Sequence, residues 1–401
     1  MLFKRFLCSD FRENAERFFV TEDTYALCAY GLSQQERCLL LDICLPYLTA
    51  LNLSEIRIPM NGMPNEGFLF LGERPRWEQT IWKLLRSRSD LTIVVLTQIL
   101  ELLYNRNLRP ITLPSGKQLS FERPLFMGVI NRTTDSFYAQ SRIESDQEAL
   151  EKALEMEEQG AQLIDVGGES SRPGSLGIPE QEEEERVIPA IRLLAKHIKI
   201  PLSVDTTKAS IAKKAIDAGA DIVNDISGLS PDSELFEYVA NQKIPAVIMH
   251  IQGTPKTMQT RPTYRHVVRE VQGRFELVLN ALGERGYPLH QAILDPGFGF
   301  GKTLPDHLYL WSELASFLRF RLPVLVGTSR KSFLGATTGT STPAERLPET
   351  LATTASGIAR SVNIFRVHDV KENFQVAKMA FFMMGFVCEG VNERGVHSET
   401  R

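Results

Sequence analysis

Eight short apolar runs punctuate residues 126–369, and each closes on a polar or charged cluster. They read FMGVIN (126–131), LIDVGG (163–168), PLSVD (201–205), IVNDIS (222–227), AVIMH (246–250), AILDP (292–296), PVLVGTS (323–329) and IFRVHD (364–369). Continuous apolar runs suit strands buried on both faces, as parallel sheets require. The segments between them mostly read as helices. Ser145-Asp-Gln-Glu148 is a capping box, followed by Ala149, Ala153 and Met156 at helical spacing and closed by Gly160. Residues 180–197 begin acidic and end on Lys196 and His197, which complements a helix dipole. Residues 208–219 close on Gly219, residues 262–286 are long and amphipathic, and residues 345–361 are rich in small side chains suited to close packing on a sheet. Strand and helix thus alternate eight times over about 270 residues, near the usual size of an α/β (β/α)8 TIM barrel. A doubly wound sheet is the alternative. Polar residues at the end of every run favour closure, because such folds gather their chemistry at the C-terminal ends of the strands.

Ahead of the first run, residues 111–122 (ITLPSGKQLSFE) alternate around Pro114-Ser115-Gly116. That predicts a hairpin, with the structural task of covering the N-terminal mouth of the barrel. Residues 1–107 differ in character and hold four of the five cysteines and two of the three tryptophans. Leu39–Leu51 and Leu91–Tyr104 read as helices and Phe68–Leu71 as a short strand. Their aromatic and aliphatic content marks a folded region. The expected organisation is a smaller α+β N-terminal domain over 1–107, with no catalytic motif, followed by the barrel over 108–401.

Composition narrows the classes. A chain of 401 residues suggests roughly two to three domains. A net charge of −4 provides no footprint for nucleic acid. No apolar run approaches the roughly 20 residues that span a bilayer, so no membrane partner is expected. The first residues carry Asp10, Glu13 and Glu16 and lack a long apolar core, which argues against a targeting peptide. An odd count of five cysteines without close pairing suits a reducing cytoplasm, and no short-spaced ligand set suggests zinc.

Candidate chemistry lies at the strand ends. Asp165, Asp205, Asn224 and Asp295 interrupt or end otherwise apolar runs. A buried carboxylate needs a partner or a shifted pKa. Each could satisfy neighbouring backbone or basic groups, but four converging on one rim suit a heterocycle rich in N–H donors. A guanidine-like edge can pair with one carboxylate through two hydrogen bonds. Basic groups gather on the last runs: Thr328-Ser-Arg-Lys-Ser332, then Arg366 and His368, which alternation places on one side of their strand. With Arg172 they read as an anion site, a frequent role of the seventh and eighth loops. The alternative for Arg366 and His368 is ion pairing with Asp369 or Glu372. The segment DPGFGFGKT (295–303) fails both nucleotide-loop patterns, since Pro296 stands where a Walker glycine belongs and the dinucleotide spacing is short by one. It reads as a loop whose Phe300 stacks on a flat ligand and whose Lys302 reaches a charged one. His250 is either a base or a buried, hydrogen-bonded histidine.

Taken together these residues resemble dihydropteroate synthase, nearly collinearly from about residue 110 onward. The blocks are MGVIN (127–131) with Asp135-Ser-Phe137, DVGGESSRPG (165–174), SVDTTK (203–208), NDISG (224–228), IMHIQGTPKTMQ (248–259), DPGFGFGKT (295–303), GTSRKSFLG (327–335) and FRVHDV (365–370). The resemblance implies condensation of 6-hydroxymethyl-7,8-dihydropterin pyrophosphate with 4-aminobenzoate in folate biosynthesis, releasing pyrophosphate. It implies that Asp205, Asn224, Asp295 and Lys331 hold the pterin, with Met249 packing nearby and Asp165 shaping the same site. Asn131, Arg366 and His368 would bind the pyrophosphate with Mg2+, Asn131 as the metal ligand. Ser171, Arg172, Phe300, Lys331 and Ser332 would form the aminobenzoate pocket, and Ser329 and Lys302 also count among substrate contacts. Asn131, Lys331, Arg366 and His368 are the expected catalytic groups, and a homodimer is the expected assembly.

The chain departs from the family after Asn131. Arg132 replaces an apolar residue, Thr134 replaces a proline, and Tyr138-Ala-Gln-Ser141 lacks two glycines. Losing the proline is expected to loosen that loop, and Arg132 is expected to bring a charge near the pyrophosphate. Residues 1–107 lie outside the resemblance and lack the Asp-x-Asp pair of the pathway kinase sometimes fused to these synthases. A folate-binding methyltransferase shares the pterin-holding acids but needs no anion group on its last strands. A non-catalytic pterin-binding protein is the third reading.

Overall fold

The structure is a computed structural model. It describes residues 108–133, 143, 145–231 and 233–383, together with four strands of the N-terminal region. The chain divides into two compact units, Met1–Asn107 and Leu108–Arg401. The first contains β1 (Leu2–Phe6), β2 (Thr24–Tyr30), β3 (Thr49–Asn52) and β4 (Gly67–Glu73) in an antiparallel sheet of order β1-β2-β4-β3. The predicted strand at Phe68–Leu71 lies inside β4. The helix predicted over Leu39–Leu51 is corrected at its end, where Thr49, Ala50 and Leu51 pair with Leu71, Phe70 and Leu69. A short apolar run has no period that separates a strand from a buried helix. The rest of that segment, and Leu91–Tyr104, lie outside the described residues.

The second unit opens with the hairpin β5 (Ile111–Thr112) and β6 (Gln118–Leu119). Its Ile111, Leu113, Leu119 and Phe121 pack against Met127, Leu163, Ile222, Val247, Ile293 and Ile364 in one apolar cluster. These partners belong to the early parts of the barrel strands, so the hairpin plugs the N-terminal mouth as the alternation predicts. Eight parallel strands follow: β7 (Leu125–Asn131), β8 (Leu163–Gly167), β9 (Leu202–Asp205), β10 (Ile222–Asp225), β11 (Ala246–Met249), β12 (Ala292–Asp295), β13 (Leu325–Val326) and β14 (Ile364–Val367). Their order is β12-β11-β10-β9-β8-β7-β14-β13, and a parallel bridge between Leu294 and Val324 joins its two ends. The sheet therefore curls into the predicted barrel.

Helices alternate with these strands: α1 (Asp146–Glu158), α2 (Glu180–His197), α3 (Ala209–Ala218), α4 (Glu234–Gln242), α5 (Val267–Glu284), α6 (Leu304–Ser312), α7 (Ser332–Thr338), α8 (Leu347–Ile358) and α9 (Val370–Met383). The capping box at Ser145 and Glu148 forms, with both reciprocal bonds made. The small residues of α8 do what their size suggests. A Cβ on Gly357 would stand 2.8 Å from the Phe365 ring, so glycine lets this helix close onto β14. Among the described residues no helix is long and apolar enough to cross a membrane.

Register places the polar residues in layers at one rim. Asn131 lies beside Gly167, Gly167 beside Asp205, and Asp205 beside Asn224. Asp165 lies two residues deeper, beside Ser203, and Met249 pairs with Asp295.

Candidate functional site

A cleft of about 750 Å3, open to solvent, sits where the barrel strands end. Asn131, Ser171, Arg172, Asp205, Phe300, Ser329, Lys331, Ser332, Arg366 and His368 all line it. At its base Arg366 forks onto two carboxylates. Its Nε donates to Asp165 Oδ2 at 2.6 Å and its Nη2 to Asp205 Oδ2 at 2.9 Å. Asn224 Nδ2 donates to the same Asp165 oxygen at 3.0 Å. Asp165 is fully buried, so an unpaired charge there would be costly and the fork neutralises it. The other oxygen, Asp165 Oδ1, is buried without a protein partner. Burial pushes Asp205 up to about 7, against the pull of Arg366. Burial also opposes the Arg366 charge, but Asp165 and Asp205 outweigh it and hold that pKa above its ordinary value.

Asp369 does not pair with Arg366. It accepts both arms of Arg330, at 2.8 and 2.7 Å. The ion pairing with Asp369 considered from sequence alone is therefore corrected: Arg366 is turned inward to the acids of the rim. His368 sits beside it with Nδ1 2.9 Å from Ser329 Oγ. Burial, then the Arg366 charge, lowers His368 to about 4, so the imidazole is neutral at pH 7.

Lys331 completes the wall. Its Nζ donates to the Phe298 carbonyl and lies 4.3 Å from the centre of the Phe300 ring. Burial lowers it to about 8, with Asp295 opposing. Asp295 is itself raised by burial against Lys331, and its Oδ1 accepts the Gly297 N–H at 2.7 Å. Opposite charges thus alternate from Asp165 through Arg366, Asp205 and Lys331 to Asp295.

A family model described as pterin binding enzyme matches residues 127–368. The dihydropteroate synthase of Synechocystis sp. is 40% identical over 273 residues, which covers 68% of this chain and 94% of that one. The chain belongs to the dihydropteroate synthase family. The solved Yersinia pestis dihydropteroate synthase with a sulfonamide drug complex is similar at 36% identity and a TM-score of 0.66, covering 69% of this chain and 100% of that one. The Burkholderia cenocepacia dihydropteroate synthase complexed with 7,8-dihydropteroate is similar at 34% identity and a TM-score of 0.61, covering 69% and 96%.

Not every residue singled out from sequence reaches the cleft of this dihydropteroate synthase relative. Asn224, Met249 and Asp295 lie behind the lining, buried to 4%, 3% and 7% exposure. Met249 packs with Met258 and Phe300, so it backs the aromatic ring. Lys302 is corrected outright. It is 2% exposed, and its Nζ donates to the carbonyls of Gly297, Phe300 and His250 at 3.0, 3.1 and 3.3 Å. It also lies 3.1 Å from His250 Nδ1. Lys302 holds its loop together from inside and faces no ligand. His250 resolves the same way: burial, then Lys302, lowers it to about 2, which removes it as a base. Arg132 also turns away from the cleft, onto Asp146, Ile143 and Arg186. Residues 134–142, including the altered part of that loop, lie outside the described residues.

The structure adds Thr133, Glu169, Ser170, Pro173 and Gly299 to the lining. Thr133 Oγ1 is buried without a partner. Glu169 accepts from Lys208 Nζ at 2.5 Å, and Lys208 reaches on to the buried Glu183. The only signal in the sequence is adjacency: Thr133 follows Asn131 by two positions, and Glu169 stands between Asp165 and Ser171.

Proposed function

We propose that the protein is a dihydropteroate synthase, joining 6-hydroxymethyl-7,8-dihydropterin pyrophosphate to 4-aminobenzoate with loss of pyrophosphate. The observation that carries this is the alternating charge array on the barrel rim, Asp165–Arg366–Asp205 with Asn224, Lys331 and Asp295. The array suits a ligand with a donor-rich edge at one end and an anion at the other. Arg366 bridges one oxygen of Asp165 and one of Asp205, while Asp165 Oδ1 has no protein partner. Pterin N–H groups offer the carboxylates new donors, and the pyrophosphate offers Arg366 a new acceptor. Substrate thereby replaces internal ion pairs instead of stripping water from bare charges.

His368 serves the anion as a neutral donor. Its backbone N–H donates to Ser329 Oγ at 3.3 Å, so that hydroxyl is free to donate to Nδ1 and leave the ring proton on Nε2. Cleavage of the carbon–oxygen bond beside a reduced pterin builds positive charge on the pterin and negative charge on the leaving group. Arg366, His368 and Lys331 stabilise the latter. The attacking aniline nitrogen is neutral at pH 7, so no strong base is required, in keeping with a buried and unprotonated His250. Phe300 and the alkyl stem of Lys331 give the aminobenzoate ring a wall, with Ser171, Arg172 and Ser332 around it.

The donor set also supports a magnesium requirement. Among the described residues no group of three or more His, Cys, Asp or Glu stands ready to hold a metal. Asn131 offers one amide at the cleft wall. One protein oxygen fits Mg2+, which keeps several waters and takes its remaining ligands from phosphates. When bound it would neutralise charge on the pyrophosphate. A reducing cytoplasm, supported by the odd cysteine count, and a homodimer, carried over from the family, complete this reading. Sedimentation of the full chain tests the dimer. The deciding assay follows pyrophosphate release with and without 4-aminobenzoate. Release that depends on the amine, with dihydropteroate formed, is expected. Absence of release at every metal concentration would overturn the assignment, and pterin binding without turnover would leave only a binding protein.

A further inference from the structure

Arg132 follows Asn131 directly, yet its side chain is 9% exposed and points away from the cleft. Its guanidinium reaches three separate elements. Nη2 donates to Asp146 Oδ1 in the first turn of α1 at 2.8 Å. Nη1 donates to the carbonyl of Ile143, where the loop after β7 returns, at 3.4 Å. Nε donates to the carbonyl of Arg186 on α2 at 3.1 Å. Backbone bonds run beside these. Arg132 N–H donates to the Gly167 carbonyl at 2.8 Å, and Ile143 N–H donates to the Asn131 carbonyl at 3.3 Å. Arg186 carries the connection further, since its Nη1 donates to the Gly168 carbonyl at 3.0 Å, one residue before the wall formed by Glu169–Pro173.

We propose that Arg132 is a positioning residue that clasps both stems of the loop after β7 to α1 and α2, and so sets Asn131 and Thr133 against the wall contributed by Glu169–Pro173. It touches no substrate. A guanidinium suits the task because its rigid planar fork spreads donors over three nitrogens, each aimed at a different element, which the single nitrogen of an ammonium cannot reproduce. Asp146 supplies the counter-charge that a nearly buried cation needs, and the two carbonyls accept from two further N–H groups. A valine at this position would make none of these side-chain bonds. The effect on Asn131 is direct: its carbonyl accepts from the same Ile143 whose own carbonyl Arg132 grips.

The clasp predicts a binding defect and not a general loss of fold. The inference rests on the reaction proposed above for its kinetic readout, so a second readout needs no turnover. In Arg132→Met, the KM for the pterin pyrophosphate and the Kd for pyrophosphate with Mg2+ should each rise about tenfold, the scale of losing a hydrogen bond to a charged group. Asp146→Asn, which keeps the shape and drops the counter-charge, should give a smaller rise in the same direction, and Arg132→Lys should fall between wild type and Arg132→Met. Amide exchange at Arg132 and Ile143 should quicken about tenfold in Arg132→Met, with β9 and β10 unchanged. A lowered Tm with KM, Kd and both exchange rates unchanged would overturn the clasp. A wild-type protein without turnover would sink the proposed reaction alone, and the exchange rates would still decide the clasp.

Discussion

At the scale of single residues, Asp205 is the most informative group. It starts from an ordinary carboxyl pKa of 3.8 and is raised to about 7 by burial, with Arg366 opposing. A raised folded pKa means that the folded state binds the extra proton. The stabilisation from that proton is complete below the unfolded pKa and is lost as pH rises through about 7. Asp205→Asn cannot titrate. Its unfolding free energy relative to wild type should therefore improve steadily between about pH 4 and about pH 7, as followed by urea unfolding. A constant difference across that window would show that Asp205 stays ionised throughout. Asp295→Ala is a sharper test of recognition. Loss of a carboxylate able to accept two donors should weaken pterin binding about 100-fold by calorimetry, and an unchanged affinity would remove Asp295 from the site. Both acids are legible in the sequence, because a carboxylate that ends an apolar run is carried to the rim by its own strand. The pairing of Arg366 is not. Asp369 and Glu372 are near it in sequence, whereas Asp165 and Asp205 approach it only because closure of the barrel brings β8, β9 and β14 to one rim.

At the scale of elements, the loop after β12 shows how a charged residue can be misread. In DPGFGFGKT the lysine looks like an outward arm after three glycines. The glycines instead fold the backbone inward. A Cβ on Gly297 would stand 1.9 Å from the His250 carbonyl, and Gly297 and Gly299 have φ of +73° and +86°. This close approach points three carbonyls at Lys302 Nζ. Lys302→Met keeps the length and removes the donors. Leaving those carbonyls unpaired should cost about 3 kcal/mol, a fall in Tm of roughly 5–10 °C. Because the same loop carries Phe300 over Lys331, the KM for 4-aminobenzoate should rise more than that for the pterin pyrophosphate. Equal changes in both would mean that the loop fails as a whole. The alternation that predicts the hairpin over the barrel mouth needs no such tertiary information, since β5 and β6 are neighbours in sequence and their apolar face has only one place to go.

At the scale of the whole molecule, the barrel is legible because its pattern repeats. Each apolar run must be buried on both faces, and only a closed or doubly covered sheet does this eight times. Residues 1–107 have no comparable repeat, which is why the strand over Thr49–Asn52 reads as the end of a helix. The relative from Synechocystis is covered over 94% of its own length by 68% of this chain. An enzyme of that family therefore consists almost wholly of the part matched here. Every residue assigned to the cleft, from Asn131 to His368, lies in the unit Leu108–Arg401, and that unit has its own core around the barrel and its own plug at the N-terminal mouth. A chain beginning at Leu108 should consequently fold by itself and retain kcat/KM for both substrates within about threefold, less than the contribution of one hydrogen bond to a charged group. Far-UV circular dichroism establishes the fold and the pyrophosphate-release assay the activity. A folded barrel with kcat/KM reduced more than about 100-fold would show that catalysis requires the N-terminal unit.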